Sequence, residues 1–85
     1  MTLEQKFEDA QVRVRKLTTR PSNEDLLELY ALFKQAKDGD NNTKKPGMFD
    51  IKEQYKWKKW KELKGTSADD AMEQYIKLAD KLLGV

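Results

Sequence analysis

The feature that most constrains this chain is a succession of four segments with helical periodicity, each bounded by residues that start or stop helices. A short polar side chain that can accept a backbone N–H precedes each segment. These candidate N-caps are Thr2, Ser22, Asp50 and Ser67. No segment shows the period-two alternation of a half-buried β-strand. The sequence therefore predicts an all-α fold of four helices.

The helix boundaries follow from the same residues. Thr2 with Gln5, and Asp50 with Glu53, match the spacing of a capping box. The predicted helices are residues 3–16, residues 23–37, Asp50 to Gly65, and Ser67 to Gly84. Residues 38–47 are almost all of types that are common in loops, and this connection is longer than a tight antiparallel hairpin needs. A crossover between the second and third helices is therefore expected.

Length and composition limit the chain to one small domain. Its 85 residues support one modest core, so we expect a single domain over residues 1–85. There is no cysteine, which excludes disulfides and thiolate chemistry. No apolar run reaches the length of a signal peptide or a membrane span, which favours a cytoplasmic protein.

The small net charge of +2 conceals a basic segment. Residues 44–64 hold eight lysines against three acidic residues, whereas the rest of the chain is net acidic. Such a run is most often a solvated helix face, but it also offers a positive field to an anion.

Lys34 lies on an apolar face of the predicted second helix. At about 100° per residue, it shares one broad face with Leu26, Leu27, Tyr30 and Phe33. An unpaired ammonium is costly in a dry apolar setting. The opposite apolar face can supply the core, through Leu29, Leu32 and Ala36. We therefore interpret the face with Lys34 as the wall of a site for a ligand both apolar and anionic.

Catalysis and metal binding find little support. Histidine and cysteine are absent, and Ser67 with Asp69 and Asp70 is explained by capping and by the helix dipole. The alternation Asp38, Asp40, Asn42 suggests a calcium loop, but the glycine and glutamate that such a loop requires are missing. We therefore expect neither an enzyme nor a metal or cofactor site.

Lysines and tryptophans interleave in residues 56–61, which leaves nucleic-acid binding open. Trp57 and Trp60 lie three residues apart on one helix face, however, and this spacing favours burial. Lys58 and Lys61 would then point to water, while Lys56 lies at the margin of the buried stripe. A basic helical module for nucleic acid or protein binding remains the alternative prediction.

Several motifs, taken together in order and spacing, resemble the acyl-CoA-binding protein family over essentially all 85 residues. The motifs are Tyr30-x-x-Phe33-Lys34-Gln35-Ala36 with Gly39-Asp40, Pro46-Gly47-Met48-Phe49-Asp50, Lys56-Trp57-x-x-Trp60, Leu63-Lys64-Gly65-Thr66-Ser67, Asp70-Ala71-Met72 and Tyr75-Ile76. The resemblance implies an up-down-down-up bundle of four helices. It also implies a monomeric carrier of long-chain fatty acyl-CoA that binds without turnover, with at most transient membrane contact.

By the same resemblance, Tyr30, Lys34 and Lys56 gather around the 3′-phosphate of the ribose. Arg15 matches a basic residue near the phosphates, and Tyr75 a tyrosine at the nucleotide end of the site. The residues expected to line a groove for the acyl chain are Leu26, Leu27, Ala31 and Leu32.

The sequence departs from the family pattern at a few positions. Phe33 stands where many members have a tyrosine against the adenine, so stacking is kept and the hydroxyl is lost. Gln11 replaces a small residue beside the ligand. Lys58 and Lys59 make the third helix more basic than is usual.

Overall fold

A computed structural model describes residues 1–84, and these residues form four α-helices in an up-down-down-up bundle. The helices are α1 (Leu3–Arg15), α2 (Asn23–Asp38), α3 (Ile51–Lys61) and α4 (Ala68–Leu83). The all-α prediction is confirmed, and three helices agree with their predicted bounds to within about one residue. The third helix is shorter than predicted: it ends at Lys61, and turns occupy residues 62–65.

The core is supplied by α1, α2 and α4. Its buried side chains are Phe7, Ala10, Leu29, Leu32, Ala36, Ala71, Tyr75 and Ala79. Half of them are alanines, and small side chains at a helix contact let the helix axes approach closely. Within residues 1–84, α3 adds nothing to this cluster and packs against no helix except α2.

The predicted N-caps differ in outcome. The side chains of Thr2, Ser22 and Ser67 each accept a backbone N–H three residues later, and Thr2 forms a complete capping box with Gln5. The predicted box at Asp50 is wrong, because the Asp50 side chain makes no cap hydrogen bond. Its ψ of 66° lies outside the extended region that caps adopt. Its backbone N–H instead closes a turn onto the carbonyl of Gly47.

This difference predicts unequal contributions to stability. Ser67→Ala should lower the free energy of unfolding by about 1 kcal/mol, because it removes an N-cap hydrogen bond. Asp50→Ala should cost clearly less. Urea denaturation at about 0.5 M salt, which screens the helix dipole, measures both. Equal losses in the two variants would contradict the assignment of caps.

The loop between α2 and α3 is attached to α3 through the two tryptophans. The indole Nε1–H of Trp60 donates to the carbonyl of Gly39 at 2.9 Å, and that of Trp57 donates to Thr43 at 3.0 Å. In return, the amide of buried Asn41 donates to the carbonyl of Trp57 at 2.9 Å. The loop therefore fixes α3 beside α2, in the place of the helix contacts that α3 lacks.

A second set of hydrogen bonds joins this loop to the turn before α4. Buried Gln35 donates to the carboxylate of Asp40 at 2.8 Å and to the carbonyl of Thr66 at 2.9 Å. The N–H of Gly65 also donates to Asp40, and this bond lowers the pKa of the carboxyl. The end of α2, the loop and the entry to α4 are thus held at one point.

Candidate functional site

Two clefts meet at Tyr30 of α2. The larger is an open groove of about 980 Å³ between α2 and α3, and the smaller, of about 250 Å³, lies between α1, α2 and α4. Tyr30 lines both. A ligand that places one part in each cleft would therefore pass this side chain.

The larger groove has apolar walls from two helices. Leu26 and Leu27 line it from α2, and Ile51 and Tyr55 line it from α3. Ile51 and Tyr55 are 61% and 60% exposed, so they present apolar surface that the protein itself does not cover. Sequence reasoning missed both. The signal that could have revealed them is their spacing of four residues, which places both on one face of α3, away from Trp57 and Trp60.

Lysines of α3 border this groove, but they are not equally free. Lys59 lies 3.3 Å from Glu28 and 3.8 Å from Glu24, both on α2. The hydrogen bond with Glu28 raises the pKa of Lys59, so this lysine is charged and already paired. Lys52 and Lys58 are exposed on the rim. The basic segment is therefore less free to attract an anion than its lysine count implied.

Tyr30 of α2 and Lys56 of α3 lie against each other. The Lys56 ammonium lies 4.9 Å from the centre of the Tyr30 ring, a cation–π distance. Its carboxylate partner is Glu53, at 3.6 Å on the same helix. Such a long contact between partly exposed groups holds the ammonium weakly, so Lys56 can turn toward a phosphate.

Lys34 lies one turn further along α2, near Tyr30, and is more tightly held. Its ammonium lies 5.0 Å from the Trp60 ring centre and pairs with Asp38. The hydrogen bond with Asp38 raises the pKa of Lys34, and the nearby Tyr30 acts in the same direction. Lys34 is therefore cationic at neutral pH, but an anion would have to share it with Asp38.

The smaller cleft collects the other predicted site residues. Arg15, Tyr30, Phe33 and Tyr75 all line it. Gln11 lines it too, and its amide donates to the carbonyl of Phe7 in its own helix at 3.3 Å. This cleft combines aromatic surface with a guanidinium, as suits a flat ring that carries phosphates.

Tyr75 is held by aromatic contacts. Its ring meets Phe7 edge-on at a centroid distance of 5.1 Å, and Phe7 stacks on Phe33 at 6.2 Å. Burial raises the pKa of the Tyr75 phenol, while the charge of Arg15 acts in the opposite direction. The hydroxyl therefore stays protonated and able to donate at neutral pH.

Three expectations need correction. Ala31 and Leu32 are 0% and 1% exposed and lie in the interior, so they are not placed on a groove wall. For Leu32 the helical spacing had already indicated the core, because it groups this residue with Leu29 and Ala36. Lys61 does not simply point to water: its ammonium lies 5.5 Å from the Trp57 ring centre and donates to the carbonyl of Asn41 at 3.2 Å. Trp57 is only partly buried.

Two further properties bear on the kind of protein. Within residues 1–84, no helix combines the length and apolar character needed to cross a membrane. Across the same residues, no three acidic side chains come close enough together to hold a metal ion. The arrangement that the structure does contain is a helical bundle with a cationic and aromatic cleft beside an apolar groove.

Comparison with known proteins gives consistent matches. The family model described as acyl CoA binding protein matches residues 4–79. The chain is 52% identical over 79 residues to an acyl-CoA-binding protein of Saccharomyces cerevisiae, which covers 93% of this chain and 91% of that protein. It is 53% identical over 77 residues to acyl-CoA-binding protein homolog 1 of Caenorhabditis elegans, with 91% and 90% covered.

Solved structures agree. The crystal structure of Oryza sativa acyl-CoA-binding protein 2 superposes with a TM-score of 0.93 at 41% identity, covering 98% of this chain and 92% of that one. The solution structure of the yeast acyl coenzyme A binding protein gives a TM-score of 0.76 at 51% identity, with 95% and 94% covered. The chain therefore belongs to the acyl-CoA-binding protein family.

Proposed function

We propose that this protein binds long-chain fatty acyl-CoA thioesters as an intracellular carrier and buffer, without altering them. The observation that carries the proposal is the meeting of two chemically different clefts at Tyr30. Fatty acyl-CoA has the same division, into a phosphorylated aromatic headgroup and a long apolar chain. The name shared by its relatives supports the same ligand.

The headgroup is assigned to the side chains near Tyr30. Lys34 and Lys56 supply positive charge for the 3′-phosphate, and Tyr30 adds a directional hydrogen bond. Arg15 is close enough to Tyr75 to affect its pKa, and it offers a guanidinium to the remaining phosphates. Phe33 provides an aromatic face for the adenine.

The acyl chain is assigned to the groove between α2 and α3. Each buried methylene contributes about 0.8 kcal/mol, so apolar walls from Leu26, Leu27, Ile51 and Tyr55 can compete with a membrane for the chain. The volume of about 980 Å³ falls at the upper end of the 300–1,000 Å³ typical of ligand sites. We expect a monomer acting in the cytoplasm and exchanging its ligand with acyl-CoA-using enzymes.

The tryptophan geometry gives no support to nucleic-acid binding. Trp60 is buried, and both indole N–H groups are used by the loop. Stacking with bases requires exposed rings.

Native mass spectrometry of the protein as purified from cells tests the acyl-CoA proposal. The spectrum should contain a complex heavier than the protein by the mass of an acyl-CoA. A spectrum that contains only the unliganded protein would count against the proposal.

Acyl-CoA incubated with the protein should be recovered intact. The chain contains neither histidine nor cysteine, and the hydroxyls of its two serines, Ser22 and Ser67, cap α2 and α4, which supports binding without turnover. Chromatography of the mixture over several hours measures any free CoA. Protein-dependent release of CoA that disappears in Ser67→Ala would contradict the carrier assignment.

A further inference from the structure

Two large apolar side chains project into solvent just before α3. Met48 and Phe49 are 79% and 94% exposed, and they are the central residues of the turn from Gly47 to Asp50. The N–H of Asp50 closes this turn on the Gly47 carbonyl at 3.0 Å, and the Gln54 side chain donates to the same oxygen at 2.6 Å. Met48 and Phe49, which we name the apolar tip, are thus held away from the protein by a bonded turn.

Exposed lysines flank the apolar tip on both sides. Lys44 and Lys45 precede it, and Lys52 follows in the first turn of α3. The nearby acidic residues are Asp50 and Glu53, so the lysines outnumber the carboxylates around the tip. The tip therefore projects from a surface of net positive charge.

The size of the tip decides which partner it suits. A stable protein interface needs about 800 Å² from each partner, far more than two side chains supply. Apolar side chains beside several lysines suit the surface of an anionic bilayer, where the apolar groups enter the acyl boundary and the cations meet the headgroups. We propose that the apolar tip inserts into the interface of an anionic phospholipid membrane while Lys44, Lys45 and Lys52 contact lipid phosphates.

This contact would orient the protein. Ile51 and Tyr55 extend the apolar surface from the tip into the groove between α2 and α3. A protein docked through the tip therefore brings the α3 wall of its groove to the bilayer surface. The contact itself needs no acyl-CoA, so it can be tested with ligand-free protein and does not depend on the proposed function.

Co-sedimentation with vesicles at about millimolar accessible lipid tests the contact. Vesicles of roughly three parts phosphatidylcholine to one part phosphatidylserine should bind the protein, pure phosphatidylcholine should bind it much less, and salt should release it. Phe49→Ser should reduce the partition coefficient about tenfold or more. The matched control is Val12→Ser, since Val12 is also exposed but lies on α1. Equal binding by Phe49→Ser and wild type would overturn the proposal, as would binding that ignores phosphatidylserine.

The lysines are tested in the same assay. Lys44→Gln combined with Lys45→Gln should weaken binding about tenfold, because each lysine near an anionic surface contributes to attraction. The pair Lys6→Gln and Lys77→Gln removes the same charge from α1 and α4 and should have a smaller effect. Equal losses in the two pairs would mean that net charge alone drives binding, and would refute a specific docking face.

Insertion can also be observed directly, because the chain has no cysteine. Met48→Cys labelled with an environment-sensitive fluorophore should brighten and shift to shorter wavelength on phosphatidylserine vesicles. Val12→Cys with the same label should not respond. A silent label at position 48, or equal responses at both positions, would overturn the assignment of the tip.

Discussion

Shortening the acyl chain of the ligand from about sixteen carbons to about eight is expected to weaken binding by about 3 kcal/mol, more than a hundredfold. Complete burial of eight methylenes would be worth about twice as much, but the groove is open to solvent along its length. The headgroup contacts stay the same in both ligands. Titration calorimetry of the two acyl-CoA thioesters under one set of conditions measures the difference.

The two groove walls should account for this chain-length effect. Leu27→Asn should weaken binding of the long thioester more than that of the short one, because it puts a polar side chain on the groove wall, where the longer chain would bury more surface. Val12→Asn changes an exposed residue of α1, a helix that does not pack against α3, and should affect neither. Equal affinity for the two chain lengths would contradict a role for the groove, and equal affinity for free fatty acid would contradict a role for the headgroup cleft.

Lys34→Ala and Lys56→Ala are each expected to weaken acyl-CoA binding by about 1.5–3 kcal/mol, the range for a hydrogen bond to a charged group. Helical content should change little, because neither side chain belongs to the core. The sharper measurement repeats the titrations with the 3′-dephospho ligand. Wild type should lose affinity for this analogue, and the lysine variants should lose little more, because both changes remove one interaction.

Matched variants separate the contributions of the side chains around Lys34 and Lys56. Tyr30→Phe keeps the ring that lies against Lys56 and removes only the hydroxyl, so any coupling to the 3′-phosphate that it loses belongs to that hydroxyl. Asp38→Asn removes the carboxylate that competes for Lys34 and should not weaken binding. Lys58→Ala, an exposed residue, should show no coupling. Full additivity between Lys34→Ala and phosphate removal would refute the assignment.

Helical periodicity and the residues that start and stop helices were sufficient to predict much of the fold. Three of the four N-caps were found because a Ser or Thr side chain and the first helical turn are adjacent in sequence. The core face of α2 was found because Leu29, Leu32 and Ala36 lie at helical spacing. Both inferences depend on local geometry alone.

Other features depend on contacts that the sequence does not encode locally. Asp50 has the residue type of an N-cap, but its N–H closes a turn on Gly47, and its ψ of 66° lies outside the capping region, which residue type alone does not reveal. Ile51 and Tyr55 were missed because the search for apolar residues at helical spacing looked for buried faces, and both side chains are exposed. Lys61 is exposed, as predicted, but its hydrogen bond was missed because the loop carbonyl that it reaches is twenty residues away.

The attachment of α3 to one helix and one loop has a consequence for how a carrier works. Among residues 1–84, the eight side chains of the core cluster belong to the other three helices, so this cluster does not include α3. Cargo in the groove, by contrast, is enclosed on one side by α3 alone. We therefore expect loss of the indole hydrogen bond in Trp57→Phe to change the rate of ligand release more than the free energy of unfolding.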